Sequence, residues 1–207
     1  MRKYIYEFIG AFFLVLTIGC TVIPASPGVI APLAIGGMLM VVIFASGHVS
    51  GGHHNPGVTL AVWMRGRCSV SDVVPYIVAQ FAGAVLAALA VVFLVGPGTP
   101  MVIKNVPAAF LSEFLFSFAL CFVVLNVATA KANVNNSFYG LAIGTTVMCG
   151  AFAVGGISGG AFNSAVAVAA GMMKLVSFND IWIHIGANAI AGLVAGVAFK
   201  TLNPEDK

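Results

Sequence analysis

Apolar residues along this chain gather into six long runs and two short ones, separated by brief polar punctuation. The long runs predict membrane-length helices over about Tyr4–Ile23, Ala31–Ser46, Asp72–Val95, Pro107–Ala130, Phe138–Val154 and Asp180–Thr201. The short runs, about Pro56–Arg65 and Ser164–Met173, predict half-length helices, and each follows a glycine-rich stretch. Pro24 to Gly28 read as a turn and Gly96-Pro97-Gly98-Thr99-Pro100 as a loop. The Arg65-Gly66-Arg67 cluster ends the first short helix, and the largely polar Lys131 to Asn136 form a linker.

The stretches before the short helices are two copies of one pattern. Ser50-Gly51-Gly52-His53-His54-Asn55-Pro56-Gly57-Val58 recurs 108 residues later as Ser158-Gly159-Gly160-Ala161-Phe162-Asn163-Ser164-Ala165-Val166. In each copy an asparagine stands where a helix N-cap is expected. At the same offset Leu33-Ala34-Ile35-Gly36 matches Leu141-Ala142-Ile143-Gly144. Glu7-Phe8 with Phe12 matches Glu113-Phe114 with Phe118. The chain therefore divides into two repeats, about 1–103 and 104–207, inside a single transmembrane domain. Three spans per repeat is an odd number, so the second repeat must run inverted, and the two half-helices meet N-terminus to N-terminus near the midplane. Irregular backbone at that depth is tolerated only inside protein or along a watery cavity.

Composition agrees with a membrane protein: 60% of residues are hydrophobic and only 7% charged, against about 25% charged in an average soluble domain. The net charge of +3 is too small and scattered for a nucleic-acid partner. Placing the N-terminus in the cytoplasm puts Arg2, Lys3, Arg65, Arg67, Lys131, Lys200 and Lys207 inside and only Lys104 and Lys174 outside. Both termini are then cytoplasmic. Cys20, Cys68, Cys121 and Cys149 show no paired or metal-ligand spacing. No nucleophile–base set or phosphate loop is present, so the chain reads as no enzyme and as needing neither cofactor nor metal.

The crossing point carries the chemistry. Two helix N-termini meeting at one place make a positive centre in a low-dielectric wall, which disfavours cations and hydronium. Asn55 and Asn163 each offer a carboxamide whose oxygen caps backbone and whose N–H2 donates outward. Two donors occupy the lone pairs of one water, turn its hydrogens away along the pore and break a proton wire. The loops Gly51, Gly52, His53, His54 and Gly159, Ala161, Phe162 supply carbonyls that replace lost hydration along a narrow file.

The S-G-G-x-x-N-P-G-V and S-G-G-x-x-N-S-A-V loops, the E-F-x-x-x-F starts and the inverted repeat resemble the aquaporin superfamily over essentially the whole chain. The resemblance implies an all-α membrane fold of six transmembrane helices plus two re-entrant half-helices. It implies a homotetramer in lipid, with one pore per subunit and two constrictions, one at the paired asparagines and one nearer the outside. Three departures stand out. The usual Asn-Pro-Ala is Asn55-Pro56-Gly57 in one loop and Asn163-Ser164-Ala165 in the other, and the usual filter arginine is Val166. Ser164 gives up the fixed φ of a first-turn proline, and Gly57 is expected to weaken its half-helix by up to about 1 kcal/mol relative to Ala. The matched outer-filter set is Ile35, Ala151, Gly160 and Val166, without an aromatic ring, a His or a fixed cation. Leu14, Leu39, Leu120 and Val147 match an apolar pore wall. The expected function is passive conduction of water together with small neutral solutes such as glycerol, ammonia or urea, although an apolar ring can also slow water by dewetting.

The remaining polar residues take structural readings. His53 is matched to the cytoplasmic mouth, and His48 and His54 are expected to bond loop backbone rather than a metal. His184 and Asn188 are expected to bond a neighbouring helix. Glu7 and Glu113 are placed to hold loop N–H groups. The rival function, a coupled secondary transporter, would need these two as its titratable site.

Overall fold

The computed structural model describes residues 1–24 and 30–206; the rest of the expected turn at Pro24–Gly28, and Lys207, lie outside the described residues. Eight α-helices are present among the described residues: α1 (Arg2–Val22), α2 (Ala31–Ser50), α3 (Pro56–Arg65), α4 (Val70–Val95), α5 (Val106–Val124), α6 (Tyr139–Ser158), α7 (Ser164–Met172) and α8 (Ile181–Leu202). Six helical segments are long and apolar enough to cross a membrane, the α5 segment counted through Thr129 and the α8 segment from Phe178. Large apolar side chains such as Phe13, Leu89, Phe93 and Val194 point outward, as a lipid-facing surface requires.

The long helices form two sets, α1, α2, α4 and α5, α6, α8, which meet chiefly where α2 packs on α6. The half-helices cross between them: α3 of the first set packs mainly on α8 of the second, and α7 packs mainly on α4 of the first. Close approach is possible because the facing residues are small. A Cβ at Gly83 on α4 would strike the Phe8 carbonyl of α1, and one at Gly192 on α8 would strike the Gly57 carbonyl of α3. Ala84, Ala87 and Ala88 on α4 are fully buried along the same helix.

Several boundaries differ from the sequence expectation for visible reasons. The second and fifth spans run on to Ser50 and Ser158 instead of ending at Ser46 and Val154. Each stops only where a glycine turns left-handed, Gly51 at φ 88° and Gly159 at φ 95°. The fourth span is not one regular helix. Leu125–Thr129 form a π turn, where the Arg65 guanidinium donates to the Thr129 carbonyl (3.3 Å) and to Oγ1 (3.2 Å). A side chain inserted at a helix end is a common cause of such a bulge. Arg65 is also paired with Asp206 (2.7 Å) and lies over the Phe199 ring. The Lys131 N–H donates to the same Asp206 at 2.8 Å. That bond, followed by Arg65, holds the Asp206 carboxyl below its usual range. The segment after α8 is thereby fastened beside the C-terminal end of α3.

Candidate functional site

Each glycine-rich loop is built from the outside in by one buried glutamate. Glu7 on α1 accepts from Ser50 Oγ (2.7 Å), the His53 N–H (3.0 Å) and the His54 N–H (2.6 Å). Glu113 on α5 accepts from Ser158 Oγ (2.6 Å), the Ala161 N–H (3.0 Å) and the Phe162 N–H (2.7 Å). Both carboxylates are completely buried. Charge-assisted bonds of this length are the strong kind, and they leave neither glutamate facing open space. The loops take matching shapes: His54 and Phe162 both sit in the left-handed region at φ 47°.

The glutamates thus aim the two asparagines. Asn55 Oδ1 accepts from the Gly57 N–H (2.8 Å) at the start of α3. Asn163 Oδ1 accepts from the N–H groups of Ala165 (2.9 Å) and Val166 (3.4 Å) at the start of α7. The amide nitrogens brace the loops crosswise: Asn55 Nδ2 donates to the Phe162 carbonyl and Asn163 Nδ2 to the His54 carbonyl, both at 2.8 Å. One N–H of each amide is committed in this way. Both asparagines border a cavity of about 360 Å³.

That cavity collects most of the residues singled out from sequence. Leu14, Leu39, Leu120 and Val147 line it, as do Ile35, Ala151, Gly160 and Val166 toward one end. Gly52, His53, Gly159, Ala161 and Phe162 also contribute. A second cavity of about 390 Å³ is lined by Gly51, Arg67, Asp72 and Lys131. His53 and Val124 border both spaces, so His53 stands between the two. His53 Nδ1 lies 3.2 Å from Thr59 Oγ1.

Some expectations are corrected. His54 lines neither cavity. Its ring is buried against Gly10, which has no Cβ to obstruct it. Nor does it bond loop backbone: its Nε2 lies 2.8 Å from Ser46 Oγ. His48 is an exposed residue on α2, packed edge-on to Tyr6. Gly57 is no loss to its half-helix, because a Cβ there would lie 2.5 Å from Asn188 Nδ2 and 2.7 Å from the Asn188 carbonyl. Gly57→Ala is therefore expected to destabilise by about 1–3 kcal/mol, the usual range for overpacking, whereas helix propensity alone gives the opposite sign. Thermal melting of the purified variant checks the sign.

Other contributors were not singled out as site residues. The loop between α4 and α5 folds back on the segment after α7: the Gly98 N–H donates to the Met173 carbonyl (2.9 Å) and the Met101 N–H to the Leu175 carbonyl (3.0 Å). Thr99, Met101 and Val176 join the cavity wall there, and nothing in the loop's sequence marks that return. Gln80 and Asn188 hold the site from behind. Gln80 Nε2 donates to Glu7 (2.8 Å) and Thr59 (3.0 Å). Asn188 reaches the starts of both half-helices. These two amides stand 108 residues apart, the offset that relates the loops, and that spacing could have identified them.

Comparison with known proteins follows the same lines. A profile of the family described as Major intrinsic protein matches residues 1–199. The chain is 33% identical over 217 residues to a glycerol uptake facilitator protein-like 6 of Lactiplantibacillus plantarum, covering all of both chains. It is 31% identical over 220 residues to a putative aquaporin NIP4-1 of Arabidopsis thaliana, covering all of this chain and 76% of that one. The X-ray structure of the aquaglyceroporin from Plasmodium falciparum superposes with a TM-score of 0.84 at 20% identity, over 99% of this chain and 97% of that one.

Proposed function

The chain belongs to the major intrinsic protein family, and from that membership we propose how its cavity works. The protein is an integral multi-pass membrane protein and a passive channel for water and small neutral solutes, not an enzyme. Within that class we read it as a broad channel, passing solutes of the glycerol, ammonia or urea type along with water. One observation carries this reading: the filter end of the cavity is bordered by Ile35, Ala151, Gly160 and Val166 with no charged side chain among them, and Lys174 does not line it. A polyol meets there no fixed cation.

Ions and protons are excluded at the asparagine pair. The starts of α3 and α7 turn their positive ends to one region, and the braced amides fix the donors offered to a passing water. The working assembly is a homotetramer with a pore in each subunit. Both termini lie in the cytoplasm, which agrees with Arg65, Arg67 and Lys131 gathering around Asp206 at the end of the molecule opposite the filter. The inverted repeats 1–103 and 104–207 form one domain, a reading supported by the matching hydrogen bonds of Glu7 and Glu113. A coupled transporter gains no support, since neither glutamate lines the cavity and each is occupied by loop donors.

Stopped-flow light scattering on proteoliposomes tests the reading. Osmotic gradients of impermeant sugar, glycerol and urea should each relax faster than in empty vesicles, while an interior pH dye reports no added proton flux. Water flux with exclusion of glycerol, urea and ammonia would overturn it.

A further inference from the structure

We propose that Asn188 is a positioning residue of the channel, coupled to Gly57 and Ser164 in one clamp that does the work of a first-turn proline. Asn188 is fully buried on α8. Its Oδ1 accepts from the Gly57 N–H (3.0 Å), the Ser164 N–H (3.2 Å) and the Ser164 hydroxyl (2.9 Å). One oxygen thus takes the Ser164 N–H, a first-turn donor without an intrahelical partner, and shares the Gly57 N–H with Asn55 Oδ1. Its Nδ2 donates to the Phe162 carbonyl (2.9 Å) and to Ser117 Oγ (3.3 Å). That Phe162 carbonyl is the same one that receives Asn55 Nδ2, so Asn188 acts on the pore through the orientation of Asn55.

The three residues require one another. A proline at 164 has neither the N–H nor the hydroxyl that Asn188 accepts. A side chain at 57 would occupy the place of the Asn188 amide. Gln80, at the matching position of the other repeat, bonds Glu7 and Thr59 instead, so this clamp exists on one side only. Pro56 fixes φ covalently at the start of α3; the start of α7 has no proline, and the Asn188 hub ties it to the start of α3 instead.

The inference rests on the channel reading, and the experiment separates the two. Water flux and proton leak are measured in proteoliposomes for wild type, Asn188→Ala, Ser164→Pro and the double variant. Asn188→Ala should lower water permeability roughly five-fold, as loss of a buried hub of hydrogen bonds implies, and should raise proton leak. Ser164→Pro alone also loses flux. The double variant should recover, because proline at 164 needs no acceptor and Asn163, at φ −160° and ψ 119°, already has the backbone that precedes a proline. Ser164→Val with Asn188→Ala separates packing from hydrogen bonding, because valine fills the same space but keeps an N–H that needs an acceptor: it should not recover, and recovery with valine as well as proline overturns the clamp. Additive losses, or Asn188→Ala with wild-type flux and no leak, overturn the coupling while leaving the channel intact. If Asn188→Ala does not fold, Ser164→Ala serves: raised proton leak from loss of its hydroxyl alone supports the clamp, and wild-type behaviour counts against it. A wild type without water flux overturns both readings.

Discussion

Val166→Arg is expected to cut glycerol permeability at least about ten-fold, a barrier change of about 1.4 kcal/mol, while water permeability changes far less. Val166 is buried at the first turn of α7 and borders the cavity with Ile35, Ala151 and Gly160. These neighbours leave room at the filter end, and the new side chain has nowhere to extend except into that space or along its wall. A guanidinium brings bulk, a permanent charge and five donors in a rigid fork. Water can pass beside it by exchanging hydrogen bonds, whereas a three-carbon polyol must fit its backbone through what is left. The charge also adds to the positive field of the half-helix starts and strengthens cation rejection. Val166→Leu separates the causes, since it narrows the site without charge. If Leu alone abolishes glycerol flux, size decides; if only Arg does, polarity decides. Unchanged glycerol flux in a folded Arg variant would mean that the constriction lies elsewhere on the cavity.

Removing a loop anchor should have the largest effect on stability. Glu113→Ala leaves the buried Phe162 N–H and Ser158 hydroxyl and the part-buried Ala161 N–H without the carboxylate they now share. Stranding a buried donor costs about 1–3 kcal/mol, so the three together cost about 3–9 kcal/mol, toward the lower end because the Ala161 N–H is only part-buried, set against a whole stability of about 5–15 kcal/mol. In detergent the melting midpoint should fall by about 10 °C or more, and much of the protein should fail to assemble. Glu113→Gln is milder, because one oxygen still accepts, yet its N–H2 must then confront a backbone donor. A folded Gln variant that retains flux is what a loop anchor predicts. Complete loss of flux in a well-folded Gln variant would point instead to a titrating role in transport.

Most of the architecture was legible in the sequence because a membrane span is written in length and hydropathy, and these are local quantities. The half-helices were legible for a second reason: Ser50 to Val58 and Ser158 to Val166 repeat one pattern, so each copy vouches for the other. What escaped were relations between distant backbones. Gly57 is intelligible only once α8 is known to pass so near that a methyl group meets Asn188. His54 turns away from the cavity because Gly10, on another helix, leaves a hole of its size. The π turn at Leu125–Thr129 accompanies Arg65 donating from α3, and the wall at Met101 follows from hydrogen bonds to Leu175. Each is a long-range contact to which no residue pattern in its own segment points.

The exchange of half-helices between the two sets has a consequence for biogenesis. As the chain leaves the ribosome, α1 to α4 can be lodged in the bilayer early, but the surface that receives α3 is on α8, which follows all of them in the chain. Until α8 arrives, the Gly57 N–H lacks Asn188 and Arg65 lacks Asp206. Glu7 and Asn55 can shape the first loop before then, but α3 lacks its main packing surface. Arrival of α8 and the segment after it is then the event that closes the fold at both ends of α3, so an insertion intermediate stalled before that point leaves the half-helix without its partner surface.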